Sequence, residues 1–167
     1  MYLIISIILL IFLATFIYAG LSGATWVPTK KNDVARFLKL ADLKTGEKFY
    51  DLGCGNARMT IVASKQGADA VGLEVSLIPY LLGKLNIWLK KSSAKILYHD
   101  LWKHNLSDAN VIYFFLMPSK MNRLRKKFEK ELKPGARVIS YVWPIEGWTL
   151  VKVDECEGWP KIFLYEI

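Results

Sequence analysis

The stretch FYDLGCGNAR, Phe49 to Arg58, carries an apolar run into an acid and then into two glycines one residue apart. That order predicts a strand, a tight turn and the start of a helix. A turn built to bind phosphate avoids a carboxylate at this point, because its backbone N–H groups and the following helix N-terminus attract anions. Asp51 therefore points to a ligand that carries positive charge. A dinucleotide fingerprint would continue Gly53-x-Gly55-x-x-Gly, but its last place is Arg58, so that reading fails.

Working outward, helical and strand patterns alternate. A helix is expected over Asn32–Leu43, a strand over Lys48–Leu52, a helix over Ala57–Lys65 and a strand over Ala70–Glu74. A helix over Leu77–Lys91, with Pro79 inside it, precedes strands over Ala94–Tyr98 and Asn110–Leu116. A basic helix over Ser119–Leu132 is stopped by Lys133-Pro134-Gly135. The chain closes with strands over Arg137–Val142, Thr149–Glu155 and Lys161–Ile167. Strands separated by helices predict an α/β architecture, a mostly parallel seven-stranded sheet with helices on both faces, finished by a strand pair.

In such a sheet the first strand-to-helix turn lies at the topological switch point, where ligands bind against the carboxyl ends of strands. Gly53 and Gly55 let the backbone approach that ligand, and Ala57 keeps the following helix close. Glu74 ends the second strand, placed to accept ribose hydroxyls, and Asp100 follows the third. Each acid alone is equally well read as a turn or helix cap. Together, at the ends of three consecutive strands, they suit a ligand with an ammonium, a ribose diol and an adenine amino group. S-adenosylmethionine has all three and no phosphate.

Asp51-Leu-Gly-Cys-Gly55, Gly72-Leu-Glu74 and Leu132-Lys-Pro-Gly-Ala-Arg-Val138 resemble the motifs of class I S-adenosylmethionine-dependent methyltransferases, whose sheet is Rossmann-like. More narrowly, His99-Asp-Leu-Trp-Lys103, Lys130 to Val138 and Trp26-Val-Pro-Thr29 are similar to the membrane-associated protein lysine methyltransferases of the ATP synthase c subunit and adenine nucleotide translocase, and to their prokaryotic relatives. The resemblance implies that Asp51, Gly53, Gly55, Asn56, Glu74 and Asp100 hold the cofactor. It places Leu101 and Trp102 beside the adenine and closes Pro28 and Thr29 over the methionine end. Asn56-Ala57 departs from the more usual acid and glycine.

A lysine acceptor must arrive uncharged, which favours an apolar, aromatic channel. Candidate walls are Tyr113, Met117 and Pro118 in and after the fourth strand, with Phe114, Phe115, Trp143 and Pro144 nearby. Because a central strand is buried on both faces, Phe114 or Phe115 is also expected as plain core. Leu116 to Pro118 stand at the strand's exposed end. Nucleic-acid amino methyltransferases commonly place an Asp or Asn before prolines here, and Phe115-Leu-Met-Pro118 has neither, which argues against a nucleic-acid substrate despite a net charge of +8. The basic helix, with Lys120, Arg123, Arg125, Lys126, Lys127, Lys130 and Lys133 on it and at its end, is expected as a solvated face or a surface for anionic lipid.

The apolar excess, 53% of 167 residues, is concentrated at the N-terminus. Tyr2 to Ala19 is uncharged and, at about 1.5 Å per residue, nearly crosses a hydrocarbon core of about 30 Å. No basic segment precedes it, which favours a retained transmembrane anchor over residues 1–22 above a cleaved signal peptide, with the methyltransferase domain over 23–167. Lys30, Lys31, Arg36 and Lys39 follow the span, so the positive-inside rule puts the domain on the cytoplasmic side. Cys54 and Cys156 form no disulfide framework or metal-ligand cluster and are read as free thiols. Leu77 to Leu89 is apolar on most of its circumference; packing on the sheet accounts for this, with docking to a bilayer or membrane-embedded substrate as the alternative. The expected activity is methyl transfer from S-adenosylmethionine to a lysine of a membrane protein. A lipid-soluble small-molecule acceptor and a non-catalytic cofactor-binding scaffold are the alternatives.

Overall fold

A computed structural model describes residues 2, 4–7, 9, 10, 13, 14, 17 and 31–167. From Lys31 onward the order is α1 (Lys31–Ala41), β1 (Lys48–Leu52), α2 (Arg58–Lys65), β2 (Asp69–Glu74), α3 (Leu77–Leu89) and β3 (Lys95–Tyr98). β4 (Val111–Phe114), a 3-10 turn (Pro118–Lys120), α4 (Met121–Glu131), β5 (Arg137–Tyr141), β6 (Lys152–Asp154) and β7 (Ile162–Glu166) complete it. The sheet runs β3-β2-β1-β4-β5-β7-β6. The first five of these strands are parallel, while β7 runs antiparallel between β5 and β6.

Strand alternation divides the core in two. Tyr50, Leu52, Ile112, Phe114, Val138, Phe163 and Tyr165 face α4, whose Met121, Leu124 and Phe128 close that side. Phe49, Val111, Tyr113, Ile139, Tyr141, Ile162 and Leu164 face the other way, under α1 and α2. There Phe37 of α1 meets Phe49 and Tyr113 edge to face, with ring centroids 5.8 and 5.0 Å apart. α1 is also tied to the far edge of the sheet. Arg36 pairs with buried Asp33 at 2.9 Å and with Asp154, and donates to the Pro160 carbonyl; Asp33 in turn accepts the Tyr141 hydroxyl at 2.6 Å.

The seven strands and their order of direction agree with the sequence reading. β4 ends at Phe114 rather than Leu116, and β6 is three residues long, because the chain turns out of the sheet where its ladder partners stop. The packing on the sheet expected of Leu77–Leu89 holds for one face only, where Ile87 joins Ile96 of β3 against Ala57, Ile61 and Ala94. Only Pro79 and Gly83 of α3 are buried, while Leu81, Leu82, Leu85, Trp88 and Leu89 are exposed, since β3 is the sheet's edge and nothing among the described residues covers the helix's outer side.

The anchor expected over residues 1–22 lies largely outside the described residues. Those described there, Tyr2, Ile4–Ile7, Leu9, Leu10, Leu13, Ala14 and Ile17, are helical and exposed. Among the described residues no helix is long and apolar enough to cross a membrane.

Candidate active site

The carboxyl ends of β1, β2 and β3 meet around the glycine turn. The N–H groups of Gly53 and Cys54 both donate to the Leu73 carbonyl, at 2.9 and 3.1 Å, which stitches the turn to β2. Gly53 and Gly55 have φ of 77° and 55°, a left-handed backbone that glycine adopts without steric cost. Ala57 takes the same region, φ 61° and ψ 26°, where a side chain costs about 1 kcal/mol or more. Its methyl is fully buried with Ile61 and Ala94, which offsets part of that cost.

Asp51 is buried at the end of β1, and its Oδ2 accepts both the backbone N–H and the hydroxyl of Thr60, at 3.2 and 2.8 Å. Burial pushes its carboxyl up to about 7; the bonds from Thr60 work against this and the neighbouring charge of Glu74 adds to it. Room for this arrangement depends on Gly72 of β2, where an added Cβ would stand 2.5 Å from Cys54 Sγ and 2.8 Å from Thr60 Oγ1. Burial, with Asp51 and Glu74 nearby, raises the Cys54 thiol well above its ordinary value, so it is no nucleophile.

Glu74 is buried and braced by three backbone donors. Its Oε2 accepts the Gly55 N–H at 2.8 Å, and its Oε1 accepts those of Val75 and Ser76 at 2.9 and 2.7 Å. A carboxylate has about four acceptor sites, so one remains, on Oε2, for a ligand hydroxyl. Asp100 is half-buried, and its Oδ1 accepts the Trp102 N–H at 3.0 Å. Gly53, Leu73, Glu74, Val75, His99, Asp100 and Leu101 line one narrow cleft. The cleft holds only about 10 Å³, and among the described residues no lysine or arginine enters its lining, so a phosphate would find neither to pair with there. The Arg123 guanidinium stacks over the Trp102 ring, 4.0 Å from its centroid, a contact without a local sequence signal.

The structure thus gathers Asp51, Gly53, Gly55, Glu74, Asp100 and Leu101 around one turn and its cleft, with Asn56 and Trp102 at the margin. Asn56 is held through its carbonyl, which accepts Asn86 Nδ2 of α3 at 3.0 Å. Pro28 and Thr29 lie outside the described residues. Of the acceptor candidates, Met117 and Pro118 are exposed past the end of β4. Tyr113 instead lies buried against Phe37, opposite Asp51 in the strand ladder, so it forms the floor under α1 rather than an open wall. Leu116, expected at the exposed end, is core at 2% exposure, because it turns back among the residues facing α4. Phe114 is core as expected, and Phe115 packs edge to face on Tyr141.

At the end of β5 the chain makes an abrupt corner. Val142 has φ 76°, an outlier for a β-branched residue, fixed by its N–H donating to the Lys161 carbonyl at 2.9 Å. The Ser140 hydroxyl donates to the Trp143 carbonyl just beyond it. This leaves Trp143 exposed at the same carboxyl edge as Met117 and Pro118.

A sheet of this topology, with a glycine turn at its switch point and acids at successive strand ends, defines a class I methyltransferase that uses S-adenosylmethionine. Residues 51–152 match the family described as ANTKMT methyltransferase domain. Over 149 residues the chain is 34% identical to a protein-lysine N-methyltransferase of Saccharolobus islandicus, covering 85% of this chain and 92% of that protein. It is 35% identical over 147 residues to the adenine nucleotide translocase lysine N-methyltransferase of Mus musculus. It is 34% identical over 145 residues to the Homo sapiens lysine N-methyltransferase of the ATP synthase c subunit. The last two alignments cover 85% and 84% of this chain but only 62% and 60% of those longer proteins. Among solved structures, an RNA methyltransferase from Salinibacter ruber in complex with S-adenosyl-L-homocysteine superposes with a TM-score of 0.80 at 30% identity, covering 84% of this chain and 94% of that one. The chain belongs to the ANTKMT methyltransferase domain family, and it is a methyltransferase.

Proposed function

We propose that the protein methylates the ε-amino group of a lysine on a membrane protein, working on the cytoplasmic side of a bilayer that holds its apolar N-terminus. The observation that carries this reading is the carboxyl edge of the sheet beyond the cofactor cleft. Met117, Pro118, Trp143 and Pro144 are exposed there, and none of them is an amide or an acid. An amino group on a nucleobase would want such a partner, whereas a lysine wants an apolar approach that favours its neutral form. The lysine methylation named for the Saccharolobus relative, matched over nearly its whole length, supports the same choice.

When bound, S-adenosylmethionine supplies an electrophilic methyl group on a sulfonium centre. The chain's own residues position and dry the site. Asp51 offers a carboxylate to the amino-acid end, Glu74 the remaining acceptor site on Oε2 to a ribose hydroxyl, and Asp100 a carboxylate beside the base. Met117, Pro118 and Trp143 shield the incoming amine from water, so that its proton is left to solvent and its lone pair is free to attack. Positioning and water exclusion then account for most of the acceleration.

The test is incubation of the full chain with methyl-labelled S-adenosylmethionine and, separately, membranes, soluble protein, total RNA and extracted lipid. Label in a membrane protein band that maps to methyl-lysine supports the reading. Label in RNA would move the assignment to RNA methylation, the activity named for the Salinibacter enzyme. Label in the organic extract would favour a lipid-soluble acceptor, and binding without any transfer a scaffold.

A further inference from the structure

Between Glu74 and Asp100 the chain contains no acidic residue but four lysines, Lys84, Lys90, Lys91 and Lys95. This segment is α3, β3 and their connection, the outer edge of the sheet. Leu81, Leu85 and Trp88 recur at helical spacing on one exposed stripe of α3, with Trp88 at 73% exposure. Leu89 flanks them, and Leu97 and Tyr98 of β3 continue the apolar surface. A groove of ≈770 Å³ runs between the last turns of α3 and β3, with Trp88, Leu89 and Ile96 in its walls and Lys84, Lys91 and Lys95 among its lining. Lys95 has only a loose pair with Asp69, at 3.7 Å, and Lys84 lies over the Tyr80 ring, 5.7 Å from its centroid.

An apolar helix face bearing a tryptophan, bordered by lysines with no acid in the whole segment, has the chemistry of a helix lying in the interface of an anionic bilayer. A partner protein of opposite charge would suit the lysines, but it would not call for so much aliphatic surface beside an exposed indole. We infer that α3 and β3 form a second membrane contact, distinct from the N-terminus, that seats this edge of the domain in the headgroup layer of an anionic bilayer. The contact is linked to the cofactor turn. Gly83 of α3 sits so close to the Gly55 carbonyl that an added Cβ would be 3.2 Å from it, and Asn86 grips the Asn56 carbonyl. The helix resting on lipid is therefore the one bracing the glycine turn.

The test uses the full chain carrying Leu85→Cys and Cys156→Ser, labelled with an environment-sensitive fluorophore; buried Cys54 does not take the label. The label reads this face rather than whether the chain is on the vesicle. The expected result is a blue shift with vesicles of equimolar phosphatidylcholine and phosphatidylserine and none with phosphatidylcholine alone. A label on native Cys156, which is exposed, stays unshifted. Lys90→Glu, Lys91→Glu and Lys95→Glu together remove the shift, at about fivefold in the docked population for each lysine charge lost. An unshifted label on protein that co-floats with the anionic vesicles overturns the inference. So does a blue shift without vesicles: one that grows with protein concentration assigns the face to a second copy, and one independent of concentration assigns it to the chain's own N-terminal segment.

Discussion

Asp51→Asn should make the free protein more stable and the enzyme inactive. Burial holds the Asp51 carboxyl at about 7 in the folded chain, above its ordinary 3.8. The folded state therefore binds this proton more tightly than the unfolded one. The associated stability is complete below about pH 4, falls as pH rises towards 7 and stays lost above it. Over about three pH units, at about 1.4 kcal/mol each, ionised Asp51 costs the fold about 4 kcal/mol at pH 8. Asparagine keeps an oxygen for Thr60 and carries no charge; after about 1 kcal/mol for imperfect hydrogen bonding, the variant should gain about 2–3 kcal/mol at pH 8 and little at pH 4.5. Urea denaturation of the full chain in mild detergent at the two pH values measures this. Cofactor binding should respond in the opposite sense. A cationic ligand requires the ionised carboxylate, so the wild-type Kd for S-adenosylmethionine should tighten as pH rises through 7 and then level off, while the variant binds about 30-fold or more weaker with no such dependence. A variant no more stable than wild type at pH 8, or one that binds the cofactor as tightly, would refute the argument.

Gly72→Ala drives a methyl into Cys54 and Thr60; it should cost about 2 kcal/mol in thermal denaturation and weaken cofactor binding about tenfold by titration, because Thr60 holds Asp51. Arg36→Ala leaves the buried Asp33 carboxylate without its cation and frees one end of α1; a loss of about 2–3 kcal/mol in urea denaturation is expected. Iodoacetamide should modify Cys156 rapidly and Cys54 only on unfolding, so mass spectrometry should find one adduct on the native protein; rapid double alkylation would contradict the buried turn.

The strands were legible because each carries a short apolar run bounded by turn residues, and β1 was placed to the residue, Lys48–Leu52. That Glu74 closes β2 and that Asp100 follows β3 was legible for a similar reason, the apolar run before each acid. What Asp51 and Glu74 touch was not. Their partners Thr60, Gly55, Val75 and Ser76 are set by turn geometry that a residue string does not encode. The Arg36–Asp154 pair joins residues 118 apart, with no local pattern to announce it. The hydroxyl of Tyr113 suggests a channel wall, whereas the Phe37 ring packed against it makes it core. The exposed face of α3 was legible only as the alternative to packing, because hydrophobicity reports what can be buried. Whether anything covers it depends on β3 being the edge strand, and strand order is a property of the assembled sheet.

The most direct measurement of the central claim, that acids at the ends of adjoining strands hold the cofactor, is calorimetric titration of the full chain with S-adenosylmethionine beside Glu74→Gln. Glu74 makes the closest contact between strand end and glycine turn, at 2.8 Å to the Gly55 N–H. The account predicts saturable binding at one site, weakened at least tenfold in a variant that remains folded by circular dichroism. Undiminished affinity in that variant would contradict it, and so would no binding by the folded wild type.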